Sequence, residues 1–229
     1  ILTTSETLVP IMAASFGVKE SKIRVWGQPR NDVLFKEKMI QHKLEELYET
    51  LPDYQYAVLY APTYREESEA CLFPFEDMDW KKLSEYLGEK GILLCLRMHI
   101  NERGISGCAC DRHILNMGVD IVDEINEYLP LFDALITDYS SIYIDYLLLD
   151  RPIIFLPYDR EKYMCQRGMN FVYDEVTPGN KPETFEEFIH ALDIALDEDG
   201  YQEERQKVNR QLNQVVQPCA QTICEKVFE

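Results

Sequence analysis

The sequence predicts an α/β domain in which helices cover both faces of a parallel, doubly wound (Rossmann-like) sheet. Short apolar runs alternate with helical stretches along most of the 229 residues. Most of the runs are rich in β-branched or aromatic residues and show little polar alternation, which is typical of strands buried on both faces. Because ligands of such folds bind at the carboxyl ends of the strands, the loops that follow the strands are the candidate site.

The order of these elements predicts the domain organisation. Strands are predicted at residues 23–26, 56–61, 92–97, 120–122, 134–137 and 153–156. Helices are predicted at residues 35–50, 80–90, 125–131, 141–149, 184–197 and 201–216, with a short last helix beyond Pro218. We expect residues 1–22 to be the remnant of a preceding domain or linker and residues 23–200 to form the nucleotide-binding domain. Ile1 starts inside an apolar segment without a cap, so we expect the chain to be a fragment of a longer protein. Residues 201–229 are predicted to pack back on the N-terminal half of that protein.

Composition excludes several classes of protein. The chain has 41 acidic and 23 basic residues, a formal net charge of −18, whereas a general nucleic-acid binder needs a basic face. The sequence contains no apolar run of the roughly 20 residues that span a membrane, and it has no signal-peptide pattern, so we expect a cytoplasmic location. Cys108 and Cys110 lack the second ligand pair of a structural zinc site, so we expect free reduced thiols. The alternative is a metal site that includes His113, three residues beyond Cys110.

The segment DALITDYSSIYIDYLLLDRPIIFLPYD is the most informative part of the sequence. A predicted strand ends at Thr137 and Asp138, and Ser140 and Ser141 follow at the start of a helix. Hydroxyls, unpaired backbone N–H groups and the helix dipole together favour an anion. Asp145 lies one turn into the helix, where its carboxylate could accept hydrogen bonds from ribose hydroxyls. The alternative is that Ser140 or Ser141 simply caps the helix.

Polar side chains also follow three other predicted strands. Arg30 lies in GQPRND, Arg65 ends YAPTYR, and Arg97 and His99 belong to RMH. A guanidinium can bind two oxygens of a pyrophosphate at once, and histidine can act as an acid or a base near neutral pH. Each residue alone could be an ordinary surface charge or a structural histidine. Four polar clusters at four strand ends favour one shared ligand site.

The combination of GQPRND, YAPTYR, RMH and ITDYSSIYIDYLLLDRPIIFLPYD resembles the CDP-glycerol glycerophosphotransferase family, the teichoic-acid primases and polymerases. The resemblance covers about Trp26 to Asp197, and DYSS is its most diagnostic part. It implies the donor-binding half of a GT-B-like fold. It also implies that His99 is required for transfer, that Ser140 and Ser141 hold the donor pyrophosphate, and that Asp145 takes the ribose position.

The resemblance further implies the reaction and its partners. A polyol phosphate would pass from CDP-glycerol, or a related CDP-polyol, to a polyol-phosphate polymer or lipid-linked acceptor with release of CMP, and no separate cofactor is expected. The full-length enzyme would work at the inner face of the plasma membrane. The W-H-G motif that carries the family's other functional histidine is absent from this chain, so we expect the chain alone to be inactive.

Two other function classes stay open. Nucleotide-sugar glycosyltransferases and epimerases share the fold, although they typically carry glycine where this chain has Ser140 and Ser141. A non-catalytic nucleotide-binding module would bind CDP tightly without turnover. Asp77 and Asp79 form a D-x-D pair, but they lie in an irregular acidic loop and not at a strand end, so we expect no obligatory metal.

Overall fold

The computed structural model describes residues 1–36, 43–63, 72–97 and 111–228. A two-stranded parallel sheet contains β1 (Leu2–Thr3) and β2 (Arg24–Val25). A five-stranded parallel sheet contains β3 (Tyr56–Tyr60), β4 (Ile92–Leu96), β5 (Ile114–Asn116), β6 (Ala134–Thr137) and β7 (Ile153–Phe155). The helices are α1 (Val9–Phe16), α2 (Lys43–Leu47), α3 (Trp80–Lys90), α4 (Ile142–Tyr146), α5 (Arg160–Gln166), α6 (Tyr173–Val176), α7 (Phe185–Asp197), α8 (Gln202–Leu212) and α9 (Ala220–Phe228). Within these ranges, none of the helices combines the length and the apolar character that crossing a membrane requires.

The order of strands in the large sheet is β5-β4-β3-β6-β7. The chain moves outward from β3 to β4 and β5, and then crosses back to place β6 on the other side of β3. The direction of winding therefore reverses between β3 and β6, and in doubly wound sheets ligands bind beside this switch point. The predicted fold class is confirmed.

Two apolar cores lie on the two faces of this sheet. Along β3, Leu59 belongs to one core, and its neighbours Val58 and Tyr60 belong to the other. The first core receives side chains from α4 and α8, and the second from α3 and α7. Every residue of β4 and β6 is buried, which explains why these strands read as continuous apolar runs in the sequence.

The irregular residues 72–79 connect the sheet to two helices. Asp79 caps α3, because its carboxylate accepts bonds from the backbone N–H groups of Lys81 and Lys82. The carboxylate of Asp77 accepts a bond of 2.8 Å from the backbone N–H of Phe185 at the start of α7. The two aspartates of the D-x-D pair therefore hold the first turns of two helices.

Two predicted strands were wrong in position or in pairing. Residues 120–122 form a turn, since the N–H groups of Ile121 and Val122 both bond to the carbonyl of Gly118, and the fifth strand lies earlier, at β5. The strand predicted at residues 23–26 exists as β2, but it pairs with β1 and not with the large sheet.

Three predicted helices are shorter or tighter than expected. Residues 29–35 form a 3-10 helix, and α2 covers only part of the predicted helix 35–50, of which residues 37–42 lie outside the described residues. Two short 3-10 turns replace the predicted helix 125–131, because Pro130 interrupts the backbone bonding. The predicted helix 141–149 is α4 followed by a 3-10 turn.

The two ends of the chain pack against each other. The hydroxyl of Thr4 donates to the carbonyl of Leu212 at 2.6 Å, and the N–H of Gln214 donates to the carbonyl of Thr4. The carboxylate of Asp32 accepts bonds from the N–H groups of Cys219 and Ala220. Two residues of α8, Val208 and Leu212, belong to the first core. The predicted domain boundaries at residues 22 and 200 stay predictions.

Substitution of Gly179 by alanine should destabilise the fold. A Cβ at this position would lie 1.9 Å from the carbonyl oxygen of Ile153 in β7, and a backbone atom cannot give way. We expect Gly179→Ala to lower the free energy of unfolding by about 3 kcal/mol or more, which corresponds to a fall in Tm of roughly 6–12 °C. The matched control is Gly200→Ala, because a Cβ there meets nothing within 4 Å. Equal melting temperatures of the two variants in calorimetry would contradict this packing.

Candidate functional site

A polar cavity of about 310 Å³ lies at the switch point of the large sheet. Its wall contains residues that directly follow β3, β4 and β6, together with one turn from the first part of the chain. Five of the eight predicted donor-binding residues line it, and the complete lining is Arg30, Ala61, Pro62, Arg97, Glu124, Ile125, Asn126, Ser140, Ser141, Ile142 and Asp145. Sequence segments that are far apart therefore converge on one cavity, and the binding of a donor there stays a prediction.

Asp145 is the centre of a buried hydrogen-bond network in this wall. The residue is only 4% exposed. Its carboxylate forms an ion pair with Arg30, whose Nη2 lies 3.0 Å from Oδ2. Arg30 Nε also donates to Oδ2 at 3.1 Å. Asn31 Nδ2 donates to Oδ1 at 2.8 Å, and Asn126 Nδ2 donates to Oδ2 at 3.2 Å and to Asn31 Oδ1 at 3.1 Å. The network fixes the guanidinium of Arg30, half of whose side chain stays exposed, at the cavity wall.

Thr137 and Asp138 connect the residues that follow β3 to the residues that follow β6. Both are buried. The hydroxyl of Thr137 donates to the carbonyl of Ala61 at 2.7 Å. The carboxylate of Asp138 accepts bonds from the N–H and the hydroxyl of Thr63, at 2.8 and 2.5 Å, and from the N–H of Tyr139. The structure thus gives these two side chains partners within the protein, and their contact with a donor stays a prediction.

Ser140 and Ser141 lie at the start of α4 and line the cavity. Ser140 Oγ accepts a long bond of 3.5 Å from the N–H of Ile142. Ser141 is the N-cap residue, but its side chain makes no capping hydrogen bond and it is exposed. The Ser141 hydroxyl therefore does not cap α4, whereas the long bond from Ile142 gives Ser140 a capping contact.

Arg97 holds the far wall of the cavity. Its guanidinium donates to the carbonyls of Met117, Val122 and Asp123. These acceptors are neutral, so no carboxylate hydrogen-bonds to this guanidinium within the part of the chain that the structure describes. Burial lowers the pKa of Arg97, and nearby carboxylates oppose the shift, but arginine remains protonated in proteins. The cavity thus keeps one fixed cation that is available to an anionic ligand.

The remaining predicted residues have a different status. Arg65, His99, Cys108 and Cys110 lie outside the described residues. Asn126 and Glu124 were not predicted, although they line the cavity. Asn31 lies in the predicted GQPRND cluster, but it was not named as a site residue, and its bond to Asp145 is a contact far away in the sequence. Among the described residues, no cluster of three or more His, Cys, Asp and Glu side chains could hold a metal ion.

Residues 1–229 match the family model described as CDP-Glycerol:Poly(glycerophosphate) glycerophosphotransferase. The chain belongs to this family. It is 32% identical to the teichoic acid ribitol-phosphate polymerase TarL of Staphylococcus aureus over 195 residues, which cover 83% of the chain and 34% of TarL. It is also 32% identical over 181 residues to a teichoic acid glycerol-phosphate primase of Bacillus spizizenii, covering 78% of the chain and 45% of the primase. This glycerophosphotransferase-family chain thus spans less than half the length of either relative.

Solved structures of a wall teichoic acid polymerase match nearly the whole of this chain. The wall teichoic acid polymerase TagF matches with a TM-score of 0.77 and 27% identity, covering 99% of this chain and 57% of TagF. A TagF variant soaked with CDPG matches with a TM-score of 0.74 and 28% identity, covering 99% of this chain and 56% of the variant. A UDP-N-acetylglucosamine 2-epimerase from Listeria monocytogenes has a TM-score of 0.52 and 19% identity over 93% of this chain and 55% of the epimerase, which shows a shared fold alone.

Removal of the Asp145 carboxylate should destabilise this chain strongly. Asp145→Ala leaves the side chains of Arg30, Asn31 and Asn126 without their common acceptor. We expect the free energy of unfolding in urea to fall by about 2–4 kcal/mol, because buried polar groups lose their partner.

The matched control is Asp174→Ala, which removes an exposed partner of Arg160. Its expected cost is below about 1 kcal/mol, as for other surface ion pairs. If the two variants lost equal and small amounts of stability, Asp145 would not be the centre of the network.

Proposed function

We propose that this chain binds the CDP-alcohol donor of a polyol-phosphate transferase that builds teichoic-acid-like polymers. The observation that carries the proposal is the convergence of Arg30, Arg97, Ser140 and Ser141 on one cavity at the switch point, in a chain of the glycerophosphotransferase family. Guanidinium groups and hydroxyls suit a pyrophosphate. The relatives are polymerases and primases of glycerol or ribitol phosphate, which supports a polyol phosphate as the transferred group.

Phosphoryl transfer is catalysed mainly by positioned charges, and covalent catalysis by the protein contributes little. Charge develops on phosphoryl oxygens as the bond to the CMP leaving group breaks, and fixed donors stabilise it without reorganisation. Arg30 and Arg97 are held by hydrogen bonds on several sides, so they would meet the pyrophosphate already oriented. We assign Arg65 the same task, and His99 either helps proton movement or binds the β-phosphate.

The hydrogen bonds that Asp145 already accepts limit how it can contact the donor. Its two oxygens already accept bonds from Arg30, Asn31 and Asn126. A carboxylate has about four lone-pair sites, so a ribose hydroxyl can still be accommodated at Oδ1, which takes one of these bonds. We propose that Asp145 orients Arg30 in every state and contacts the ribose in addition. In the full-length enzyme the acceptor would be a polymer or lipid-linked polyol phosphate at the inner face of the membrane.

Base selectivity tests the proposed function directly. Cytosine presents an amino donor where uracil presents a carbonyl acceptor, so a site built for CDP-alcohols should discriminate between them. In calorimetric titrations of the chain we expect CDP and CDP-glycerol to bind about tenfold more tightly than UDP and UDP-GlcNAc, a difference of about 1.4 kcal/mol. Equal affinities, or a preference for the UDP-sugar, would favour a glycosyltransferase or epimerase instead.

Substitutions of Ser141 and His99 should affect different quantities, the first the affinity for CDP and the second the turnover. Ser141→Leu blocks the start of α4, and loss of a hydrogen bond to a charged oxygen costs about 1.5–3 kcal/mol, so the Kd for CDP should rise roughly tenfold or more. His99→Ala in the full-length enzyme should lose turnover while the donor affinity changes little.

The control for Ser141→Leu is Ser21→Leu, an exposed serine in a turn outside the cavity. Melting curves establish that the variants are folded before affinities are compared. Normal CDP binding by Ser141→Leu would remove the start of α4 from the site. A loss of CDP affinity in His99→Ala as large as that in Ser141→Leu would make His99 a phosphate ligand.

A further inference from the structure

A second cavity lies directly beside the polar cavity, on the other side of Ser141. It has a volume of about 220 Å³ and is formed by α4, the residues around α5 and α6, and Leu8 from the first part of the chain. We call it the aromatic cavity, because Tyr139, Tyr143, Tyr163 and Tyr173 contribute to its wall. Ser141 lines both cavities. A ligand that extends past this residue would therefore occupy both.

The two cavities differ in charge. Arg30, Arg97, Glu124 and Asp145 line the polar cavity, whereas the lining of the aromatic cavity contains no Asp, Glu, Lys or Arg among the residues described. Its polar groups are hydroxyls and an amide, such as those of Ser141, Asn170 and Thr177. Because burying an ion without a partner is costly, this lining suits a neutral ligand.

Aromatic rings form the rigid part of the wall. Tyr139 and Tyr163 stack with their centroids 4.0 Å apart and an angle of 18° between their planes. The Tyr173 hydroxyl donates to the backbone carbonyl of Asp138 at 2.8 Å and so ties this wall to the loop at the switch point. Tyrosine rings offer an apolar face and a polar tip. This combination suits a polyol, in which each carbon carries both C–H and O–H groups.

Tyr143 offers its hydroxyl to this cavity. Tyr143 is 7% exposed, its ring packs edge-on against Phe155, and in the described ranges its hydroxyl makes no hydrogen bond. Burial raises the pKa of Tyr143, so the phenol stays protonated and can both donate and accept. The hydroxyl oxygen is not one of the fully buried atoms that lack a partner, so a ligand in the cavity can reach it and form a hydrogen bond with it.

We propose that the aromatic cavity binds the alcohol end of the donor, a short neutral polyol, while the polar cavity binds the nucleoside diphosphate. Ser141 lies at the junction of the two parts. The volume is below the roughly 300–1,000 Å³ of pockets for drug-sized ligands, which agrees with a small alcohol. This inference rests on the proposed function, since it assigns the second half of the same donor.

Calorimetric titrations of the 229-residue chain with CDP and with CDP-glycerol test the assignment. Tyr143→Phe removes one hydroxyl and keeps the ring, so the Kd for CDP-glycerol should rise about 3- to 10-fold while the Kd for CDP stays within about twofold. Asn170→Trp adds bulk at an exposed position of the wall and should weaken CDP-glycerol binding at least as much, again without weakening CDP.

The matched control is Tyr86→Phe. Tyr86 is a half-buried tyrosine that packs on the opposite core and donates to Asp193, so the same chemical change there should alter neither Kd. Equal losses for CDP and CDP-glycerol in Tyr143→Phe, or no loss for either, would overturn the polyol assignment. A third ligand, a glycerol-phosphate oligomer, distinguishes the sources of the polyol. If only oligomer binding weakened in the variants, the cavity would hold the acceptor end and the assignment to the donor would be wrong.

The two proposals fail in different ways. If the unaltered chain bound neither CDP nor CDP-glycerol, the proposed function would fail together with this inference. If it bound both with the expected preference for cytidine and the aromatic-cavity variants behaved like Tyr86→Phe, only the inference about the polyol would fail.

Discussion

The buried carboxylate of Asp145 is the interaction on which the polar cavity depends. Its three partners Arg30, Asn31 and Asn126 lie 115, 114 and 19 residues away in the sequence. A buried charge is tolerated only when it is paired and hydrogen-bonded, so the turn at residues 29–35, the turn at residues 125–127 and helix α4 must converge around it. Their convergence places Arg30 in the wall of the same cavity as Ser141. The shape of the site is therefore a consequence of satisfying one carboxylate.

A second carboxylate, that of Asp138, fixes the loops on which the serines lie. Its bonds to Thr63 and Tyr139 join the residues after β3 to the residues after β6, and its carbonyl accepts the Tyr173 hydroxyl from the aromatic wall. The residues that precede Ser140 and Ser141 are therefore held from two sides, while both serines line the polar cavity. Catalysis by positioned dipoles requires such an arrangement, since reorganisation during the reaction would cost free energy.

The sequence predicted the parts of this structure that depend on local patterns. The strands β3, β4, β6 and β7 are apolar runs between helices, and Asp145 was found by its spacing from Ser141. The strand β5 was missed because Ile121 and Val122 look more strand-like than the short run that pairs with β4, whereas Gly118 turns the chain there. The contact between Asn31 and Asn126 was missed for another reason. The two side chains hydrogen-bond to each other across 95 residues, and no local pattern encodes a contact at that distance.

The acidic character of the chain is compatible with an anionic donor because of where the charges lie. Nine carboxylates and no Lys or Arg occur between residues 183 and 204, and four of them, Glu186, Glu187, Asp193 and Asp197, lie in α7. That helix packs on the second core, whereas α4 and the polar cavity belong to the other face of the sheet. Exposed charges are screened over about 8 Å at physiological ionic strength, so this repulsion acts weakly on a ligand bound beside Arg30 and Arg97. A long polyanionic acceptor is affected differently, because it would extend well beyond the cavity. Repulsion by α7 would therefore act more strongly on the proposed acceptor than on the proposed donor.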